Sequence, residues 1–357
     1  MTDSIINFEW QVPDDGFEWV RAQATGNRIS RGGYVLPSGF RSNEGRPDPE
    51  NDYIFLLPKN ARWEGMDITI PYLGPAAALG ISKSFSYRPL EKNSALFREF
   101  VDLPGSFSDI REFADKWGSL GSDVSWQIVL PKYESARWGE PPGRWSDEFV
   151  EMRMAVEIWD IARRNDQNAL KNLIVFEDDC VLLRYKTGDR SPQENVGNYL
   201  DIESRDELEQ LMEQVVQGME QHVCVTTGNI FAELFLSEKY HHPERMSVIS
   251  KDDLPTAALF AVEDLINEGL KGRVSAQMGW SNDEGRQVTQ LVPDSLIGAM
   301  WLQFSMAVSR DIDFEHCLEC QSWFEIAPGS GRPDKSYCSD ACRMRAYRKR
   351  KKAKNNG

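Results

Sequence analysis

Four of the six cysteines of this 357-residue chain lie within its last 41 residues. They form two pairs, Cys317-x2-Cys320 and Cys338-x3-Cys342, with seventeen residues between the pairs. A Cys-x2-Cys turn lets two thiolates reach one Zn²⁺ at about 2.3 Å, and two such pairs complete the tetrahedron of a structural zinc site. We therefore predict that Cys317, Cys320, Cys338 and Cys342 bind a single structural Zn²⁺.

Two alternatives to this ligand set remain open from the sequence. The four cysteines could form two disulfides or stay free, although their clustering is unlike the disulfide framework of a secreted chain. His316 precedes Cys317 and could replace one ligand, but four thiolates already satisfy the ion, so His316 is left out of the predicted set.

The residues around the cysteines predict a small folded unit, which we call the C-terminal module (residues 311–357). Trp323, Phe324 and Tyr337 are expected to form its miniature core. Structural zinc contributes about 10–16 kcal/mol in finger-type peptides, more than so small a core can supply. Ser339 is a good N-cap, so a helix is predicted to begin at the second cysteine pair.

The predicted helix carries eight cations within residues 343–354, and they surround it on all sides. Such a helix cannot pack into a core, and phosphate is its natural partner. Arg343 and Arg345, nearest the cysteines, could also pair with guanine edges. We expect nucleic acid as the partner, DNA rather than RNA, with these contact residues: Arg343, Arg345, Arg348, Lys349, Arg350, Lys351 and Lys352.

Charge is divided unevenly along the chain. The net charge is -15, and residues 335–357 carry nine Lys or Arg against Asp340 alone, which gives +8 there and -15 - 8 = -23 for residues 1–334. The acidic body by itself would repel nucleic acid. The basic segment could instead be a solvated extension, or it could dock on the acidic body and be released by a ligand.

Residues 1–310 are predicted to form an α+β body, mainly helical with short hairpins, ahead of a zinc-ribbon-like module that ends in a basic helix. Residues 1–90 are rich in loop and strand signals, and residues 91–310 in helix signals with hairpins. Helices are predicted over residues 95–101, 110–117, 146–159, 208–219, 255–266 and 294–309, and hairpins pair residues 173–176 with 180–183 and 274–278 with 288–292.

Three further patterns in the body are weaker. Glu177, Asp178 and Asp179 could bind Mg²⁺ in a nuclease-like site, although an acidic hairpin turn explains them equally well. The adjacent His241 and His242 fit a surface loop better than a metal site. Cys180 and Cys224 have no catalytic motif and are interpreted as small buried hydrophobic residues.

No targeting signal and no apolar segment of membrane-spanning length occurs in the sequence, so a cytoplasmic protein without membrane contact is expected. The segment Tyr337-Cys338-Ser339-x2-Cys342-Arg343-x-Arg345-Ala346-Tyr347-Arg348 resembles the C-terminal zinc fingers of bacterial CGNR-type proteins, which are regarded as transcriptional regulators. The family's second cysteine is followed by Gly-Asn-Arg, whereas Cys342 is followed by Arg343-Met344-Arg345. The segments 296–303 and 317–324 are also similar to uncharacterised bacterial proteins that end in the same way.

Together these patterns favour a non-enzymatic, bacterial DNA-binding regulator. One alternative is a protein-interaction module whose basic helix docks on an acidic partner. Another is a metal-dependent enzyme that uses the carboxylates of residues 177–179.

Overall fold

A computed structural model describes most of the helical body and the C-terminal module. The described residues are 5–6, 8–29, 35–36, 52–59, 84–121, 126–129, 136–176, 181–186, 231–236, 253–281, 285–326 and 335–355.

Within these ranges the helices are α1 (Pro89–Lys92), α2 (Leu96–Val101), α3 (Phe107–Trp117), α4 (Pro142–Arg164), α5 (Gln167–Leu173), α6 (Leu254–Leu270), α7 (Leu296–Ser309) and α8 (Asp340–Asn355). The strands are β1 (Ile5–Ile6), β2 (Trp10–Pro13), β3 (Phe17–Ile29), β4 (Val35–Leu36), β5 (Asp52–Pro58), β6 (Ser84–Tyr87), β7 (Trp126–Val129), β8 (Ala136–Gly139), β9 (Ile174–Phe176), β10 (Val181–Lys186), β11 (Phe231–Leu236), β12 (Val274–Ser281), β13 (Arg286–Pro293), β14 (Asp313–His316) and β15 (Trp323–Ile326).

The described strands form several small sheets. The largest has the order β4-β3-β7-β8, with β5 also paired to β3, and the others are β2-β6, β9-β10-β11, β1-β13-β12 and β14-β15. All pairings are antiparallel except that of β1 with β13. The α+β prediction agrees with this mixture of helices and small sheets.

The core lies among α2, α4, α6 and α7 and is rich in aromatic rings. Helical spacing in α4 places Phe149, Met152, Val156 and Trp159 along one apolar stripe, and all four side chains are buried. Trp159 meets Phe304 of α7 edge-on, with ring centroids 5.6 Å apart. Because these helices bury their apolar faces against one another, they form a rigid base for the segments that follow α7.

Two predicted helix starts were wrong by about one turn. Helix α4 begins at Pro142 rather than near Ser146. Proline is favoured at the first helical position, because the backbone N–H that it lacks would have no partner within the helix there. The helix predicted over residues 110–117 begins at Phe107, because Ser106 caps it and forms a reciprocal capping box with Asp109.

Other predicted elements agree with the structure. Helix α6 contains Pro255 in its first turn, and α7 covers the apolar segment that was predicted as a core helix. Strand β9 pairs with β10 and β12 with β13, as the two predicted hairpins require. The predicted helix over residues 208–219 lies outside the described residues.

No helix among the described residues is both long and apolar enough to cross a bilayer.

Candidate metal centre and basic helix

The first cysteine pair forms the turn of the β14–β15 hairpin. The backbone N–H of Cys317 donates to the Ser322 carbonyl (3.0 Å), and the N–H of Gln321 donates to the Cys317 carbonyl (2.8 Å). Gln321 has φ 61°, a left-handed conformation that closes the turn just after Cys320. These bonds place both thiols on the same side of the hairpin end.

The second pair lies at the start of α8. The Ser339 hydroxyl accepts a hydrogen bond from the Cys342 backbone N–H (3.3 Å), so Ser339 caps the helix as the sequence predicts. The N–H of Leu318, within the first pair, donates to the Ser336 carbonyl (3.1 Å). This bond ties the hairpin turn to the segment that leads into α8.

The four sulfur atoms come together in one cluster. Single ligand atoms of Cys317, Cys320, Cys338 and Cys342 lie within 4.8 Å of one another. The Cys338 sulfur lies 3.6 Å from that of Cys320 and 3.5 Å from that of Cys342. A tetrahedron with metal–sulfur bonds of about 2.3 Å has sulfur–sulfur edges of about 3.8 Å, close to these distances.

All four cysteines are free thiols, and their sulfur–sulfur separations far exceed the roughly 2.05 Å of a disulfide. The cluster can therefore hold a metal ion, and the donor set that the sequence predicts is the one assembled. His316 is not part of it: its ring stacks on Trp323, with centroids 3.7 Å apart, and its Nδ1 lies 2.9 Å from the Gln321 carbonyl.

The environment favours thiolate at the first pair. Burial raises the pKa of Cys317, but backbone hydrogen bonds from Cys320, Cys338 and Glu319 outweigh it and lower the pKa to about 6. The pKa of Cys320 is lowered by the backbone N–H of Ser322. Burial and the neighbouring Cys342 thiol raise the pKa of Cys338 to about 12. A divalent cation would reverse that rise, since coordination stabilises thiolate.

Two cations of α8 contact the cysteine-bearing part of the module, one at a cysteine sulfur and the other at an acid of the hairpin turn. Arg345 Nη2 lies 3.0 Å from the Cys342 sulfur, and Lys349 Nζ lies 2.6 Å from Glu319 Oε1. Glu319 stands between Cys317 and Cys320, so its pair with Lys349 joins the hairpin turn to the third turn of α8. The cysteine motif gives no signal for this role of Glu319, although Glu319 is the only acid between the first two cysteines.

The remaining cations predicted to bind nucleic acid are exposed on α8. Arg343 pairs with Asp340 in the preceding turn (2.9 Å), and both side chains are well exposed. No carboxylate of the described residues forms an ion pair with the other four, which are Arg348, Arg350, Lys351 and Lys352.

The miniature core differs from the predicted one by a single residue. Phe324 packs with Cys317 and Cys342, and Tyr337 lies against them. Trp323 does not join them. Its side chain faces the body, where Nε1 donates to Asp102 Oδ2 (2.6 Å). The alternation of side chains along β15 explains this, because neighbouring residues of a strand point to opposite faces.

The C-terminal module is docked on the body through its hairpin. Arg163 of α4 pairs with Asp311 and Asp313 (both 2.7 Å) and also donates to the Ile312 carbonyl (3.2 Å). Ile312 is buried with the core of the body. Residues 311–313, between α7 and the rest of the hairpin, thus act as a docking element.

An arginine of the body completes this contact. Arg98 is buried, and it makes two hydrogen bonds to Asp160 (2.6 and 2.7 Å). Its guanidinium lies over the rings of Phe314 (5.5 Å) and Trp323 (5.3 Å), one from each strand of the module's hairpin. Desolvated cation–π contacts of this kind are worth about 2 kcal/mol. Sequence patterns give no signal for it, because the partners are distant in the chain.

The chain matches no protein family model, no characterised protein and no solved structure at a significant level of similarity. The other sites considered from the sequence, at residues 177–180, 224 and 241–244, lie outside the described residues.

Proposed function

We propose that this chain is a nucleic-acid-binding protein, with DNA favoured over RNA, that acts as a bacterial regulator. In this proposal one structural Zn²⁺ is bound by Cys317, Cys320, Cys338 and Cys342, and α8 contacts phosphate. The observation that carries the proposal is that α8 begins in the cysteine cluster and displays exposed cations beyond it.

Zinc is the metal that a cluster of four thiolates suits best, because sulfur ligands in a tetrahedron are typical of structural zinc sites. All four positions would be filled by protein, which leaves no open position for a substrate or water. The metal therefore has an architectural role. It fixes the first turn of α8, while Arg345 supports the Cys342 thiolate from the next turn.

The exposed cations supply the affinity. A long side chain that meets phosphate releases a condensed counterion, so each contact steepens the dependence of binding on salt. Five cations face solvent without a buried partner, namely Arg343, Arg348, Arg350, Lys351 and Lys352. If all five contact duplex DNA, the slope of log K against log salt is about -4.5.

The test is a fluorescence anisotropy titration of the full, zinc-loaded chain against mixed-sequence duplex DNA, between about 50 and 200 mM salt. The double variant Arg350→Gln and Lys351→Gln should make the slope shallower by about 1.8. The matched control is Lys171→Gln, an exposed lysine of α5, which should leave the slope unchanged. Cys338→Ser should abolish the binding because α8 loses its anchor.

Salt-independent binding, or no binding to any nucleic acid, would overturn the proposal. Binding to an acidic polypeptide such as polyglutamate, without binding to DNA, would support the alternative of a protein-interaction module. Zinc content, measured by inductively coupled plasma mass spectrometry on the purified chain, tests the metal assignment separately.

A further inference from the structure

Helix α8 has two chemically different sides. The inner side faces the cysteine cluster and is defined by Cys342, Arg345 and Lys349, each of which contacts the first half of the module or a metal ligand. These residues are spaced by three and four positions, so they lie on one face of the helix. The opposite side, which we call the outer face, is turned away from the cluster.

The outer face is centred on Met344, Tyr347 and Lys351, which are spaced by three and four residues in turn. Tyr347 is 52% exposed and Met344 is 44% exposed, although both are large apolar side chains. Arg343 and Arg348 flank them on either side and are exposed as well. An aromatic ring and a thioether thus lie in the middle of a cationic surface.

These two apolar side chains lie outside the buried cluster of the module. Its buried cluster consists of Cys317, Phe324 and Cys342, with Ile326, Tyr337 and Cys338 packed against it. Phosphate contacts alone need cations only, and a ring beside them adds nothing to counterion release. An exposed ring flanked by cations is, however, the combination by which proteins hold unpaired bases, since every base has a face that can stack.

We propose that the outer face of α8 binds single-stranded nucleic acid, with one unpaired base stacked on Tyr347 and the adjacent phosphates held by Arg343, Arg348 and Lys351. The proposal rests on the proposed function and names the strand state that this surface prefers. In a duplex the base faces are stacked on one another and hidden from the ring, whereas a single strand presents them. Unpaired DNA and RNA share this chemistry.

The test compares single-stranded DNA of mixed sequence with the duplex of the same sequence, using the full zinc-loaded chain. The wild type should bind the single strand more tightly than the duplex at equal salt. Tyr347→Leu keeps the apolar bulk but removes the ring, and it should weaken single-strand binding roughly tenfold. Tyr347→Phe keeps the stacking face and should bind like the wild type.

The salt dependence of binding distinguishes the effect of losing a cation from the effect of losing the aromatic ring. Tyr347→Leu removes no cation, so its salt slope should equal that of the wild type, whereas Arg348→Gln should weaken both forms of DNA and reduce the slope by about 0.7 for the single strand. Because the side chain of Tyr347 is exposed, its replacement should leave the module folded. Measuring the zinc content of the variants checks that the module is intact. A parallel titration with single-stranded RNA of the same sequence identifies the sugar preference.

Equal affinity for the two forms of DNA, or an unchanged single-strand affinity in Tyr347→Leu, would overturn this inference while leaving the proposed function in place. Loss of binding to every nucleic acid would overturn both. Tight binding to polyglutamate alone would assign the outer face to an acidic protein partner and would also overturn the inference.

Discussion

The cations of α8 are not equivalent, although the sequence presents them as one basic run. Arg345 contacts the Cys342 sulfur and Lys349 pairs with Glu319, whereas no carboxylate of the described residues forms an ion pair with Arg348, Arg350, Lys351 or Lys352. Because a donor to a metal-bound sulfur orients that ligand and stabilises its charge, Arg345 is expected to support metal binding by the cysteine cluster. A base-reading role remains a prediction for both Arg343, which pairs with the exposed Asp340, and Arg345, which contacts the Cys342 sulfur.

Replacing Arg345 should therefore affect metal retention. We expect Arg345→Leu to lower the affinity for Zn²⁺ by about tenfold or more, since the Cys342 sulfur loses its guanidinium donor. Competition with a chromogenic zinc chelator measures the change. Arg348→Leu is the matched control, because it removes the same group from a neighbouring exposed position, and it should retain zinc like the wild type. Equal zinc affinity in the two variants would contradict the assigned role of Arg345.

Because of Tyr87, the free energy of unfolding of the body is expected to depend on pH above about pH 10. Its hydroxyl donates to the Trp117 carbonyl, and burial together with the nearby Glu99 carboxylate raises its pKa above the ordinary value of about 10. The folded state thus favours the neutral phenol. The associated stability is fully present below pH 10 and is lost as the pH rises from there toward the folded-state pKa.

Urea unfolding measured at pH 9 and above about pH 10 tests this sign. The free energy of unfolding of the wild type should fall more steeply with pH than that of Tyr87→Phe, which has no phenol to ionise at this position. The difference between the two proteins isolates Tyr87 from the other nine tyrosines. Parallel curves would show that Tyr87 does not titrate differently in the folded and unfolded states.

At the scale of elements, the sequence predicted the type of most described helices and hairpins but not the contacts that join them. The apolar period of α4 is a local signal, and it was read correctly through Phe149 and Trp159. Glu148 falls in the first turn of the predicted helix 146–159, where an acidic side chain interacts favourably with the helix dipole. It instead forms a buried ion pair with Arg273, which precedes β12, 125 residues later.

The ion pair between Glu148 and Arg273 connects α4 to the start of the β12–β13 hairpin. Both side chains are almost completely buried, so removing one leaves the other charged and without its main partner. We expect Glu148→Leu to lower the free energy of unfolding by about 3–5 kcal/mol. Denaturant unfolding followed by circular dichroism measures this loss.

The double variant Glu148→Leu and Arg273→Met is the matched control, since it replaces both charges by apolar groups of similar size. It should recover much of the lost stability, because a buried ion pair often contributes little more than a well-packed apolar pair. If the double variant is less stable than Glu148→Leu, the pair contributes through other contacts of Arg273 and the argument from charge burial fails.

At the scale of the whole molecule, the convergence of the four cysteines was predictable and the docking of their module was not. The spacing of the cysteines is a local signal, and all four members of the cluster follow from the sequence. The contact with the body depends on Arg98, Asp102 and Arg163, which no motif links to the module. Such contacts arise from the packing of α2 and α4, and only a three-dimensional structure reveals them.

The docked hairpin determines how the acidic body could compete with nucleic acid for the basic helix. The hairpin β14–β15 holds the module against the acidic body, and residues 1–334 together carry a net charge of -23. The described partners of the α8 cations lie within the module itself. Any effect of the body on α8 would then act through space, over a range set by a Debye length of about 10 Å at 0.1 M salt.

Weakening the contact between the β14–β15 hairpin and the body should change the electrostatic effect of the body on α8, without any substitution in α8 itself. Arg163→Gln removes the ion pairs to Asp311 and Asp313, so the module can move away from the acidic surface, and we expect tighter binding of α8 to DNA at low salt. The gain in DNA affinity should disappear as the salt concentration rises, because salt then screens the negative charge of the body in the variant and in the wild type alike. Anisotropy titrations of the full chain over a salt series measure both results.

The adjacent Arg164 provides the control. Arg164→Gln makes the same change in net charge, but Arg164 is exposed and lies 3.9 Å from Asp160 without a described ion pair to the module. Its DNA affinity should follow that of the wild type at every salt concentration. Equal affinities of all three proteins at low salt would mean that the body does not regulate α8 by charge, and the docked hairpin would then serve only to hold the module in place.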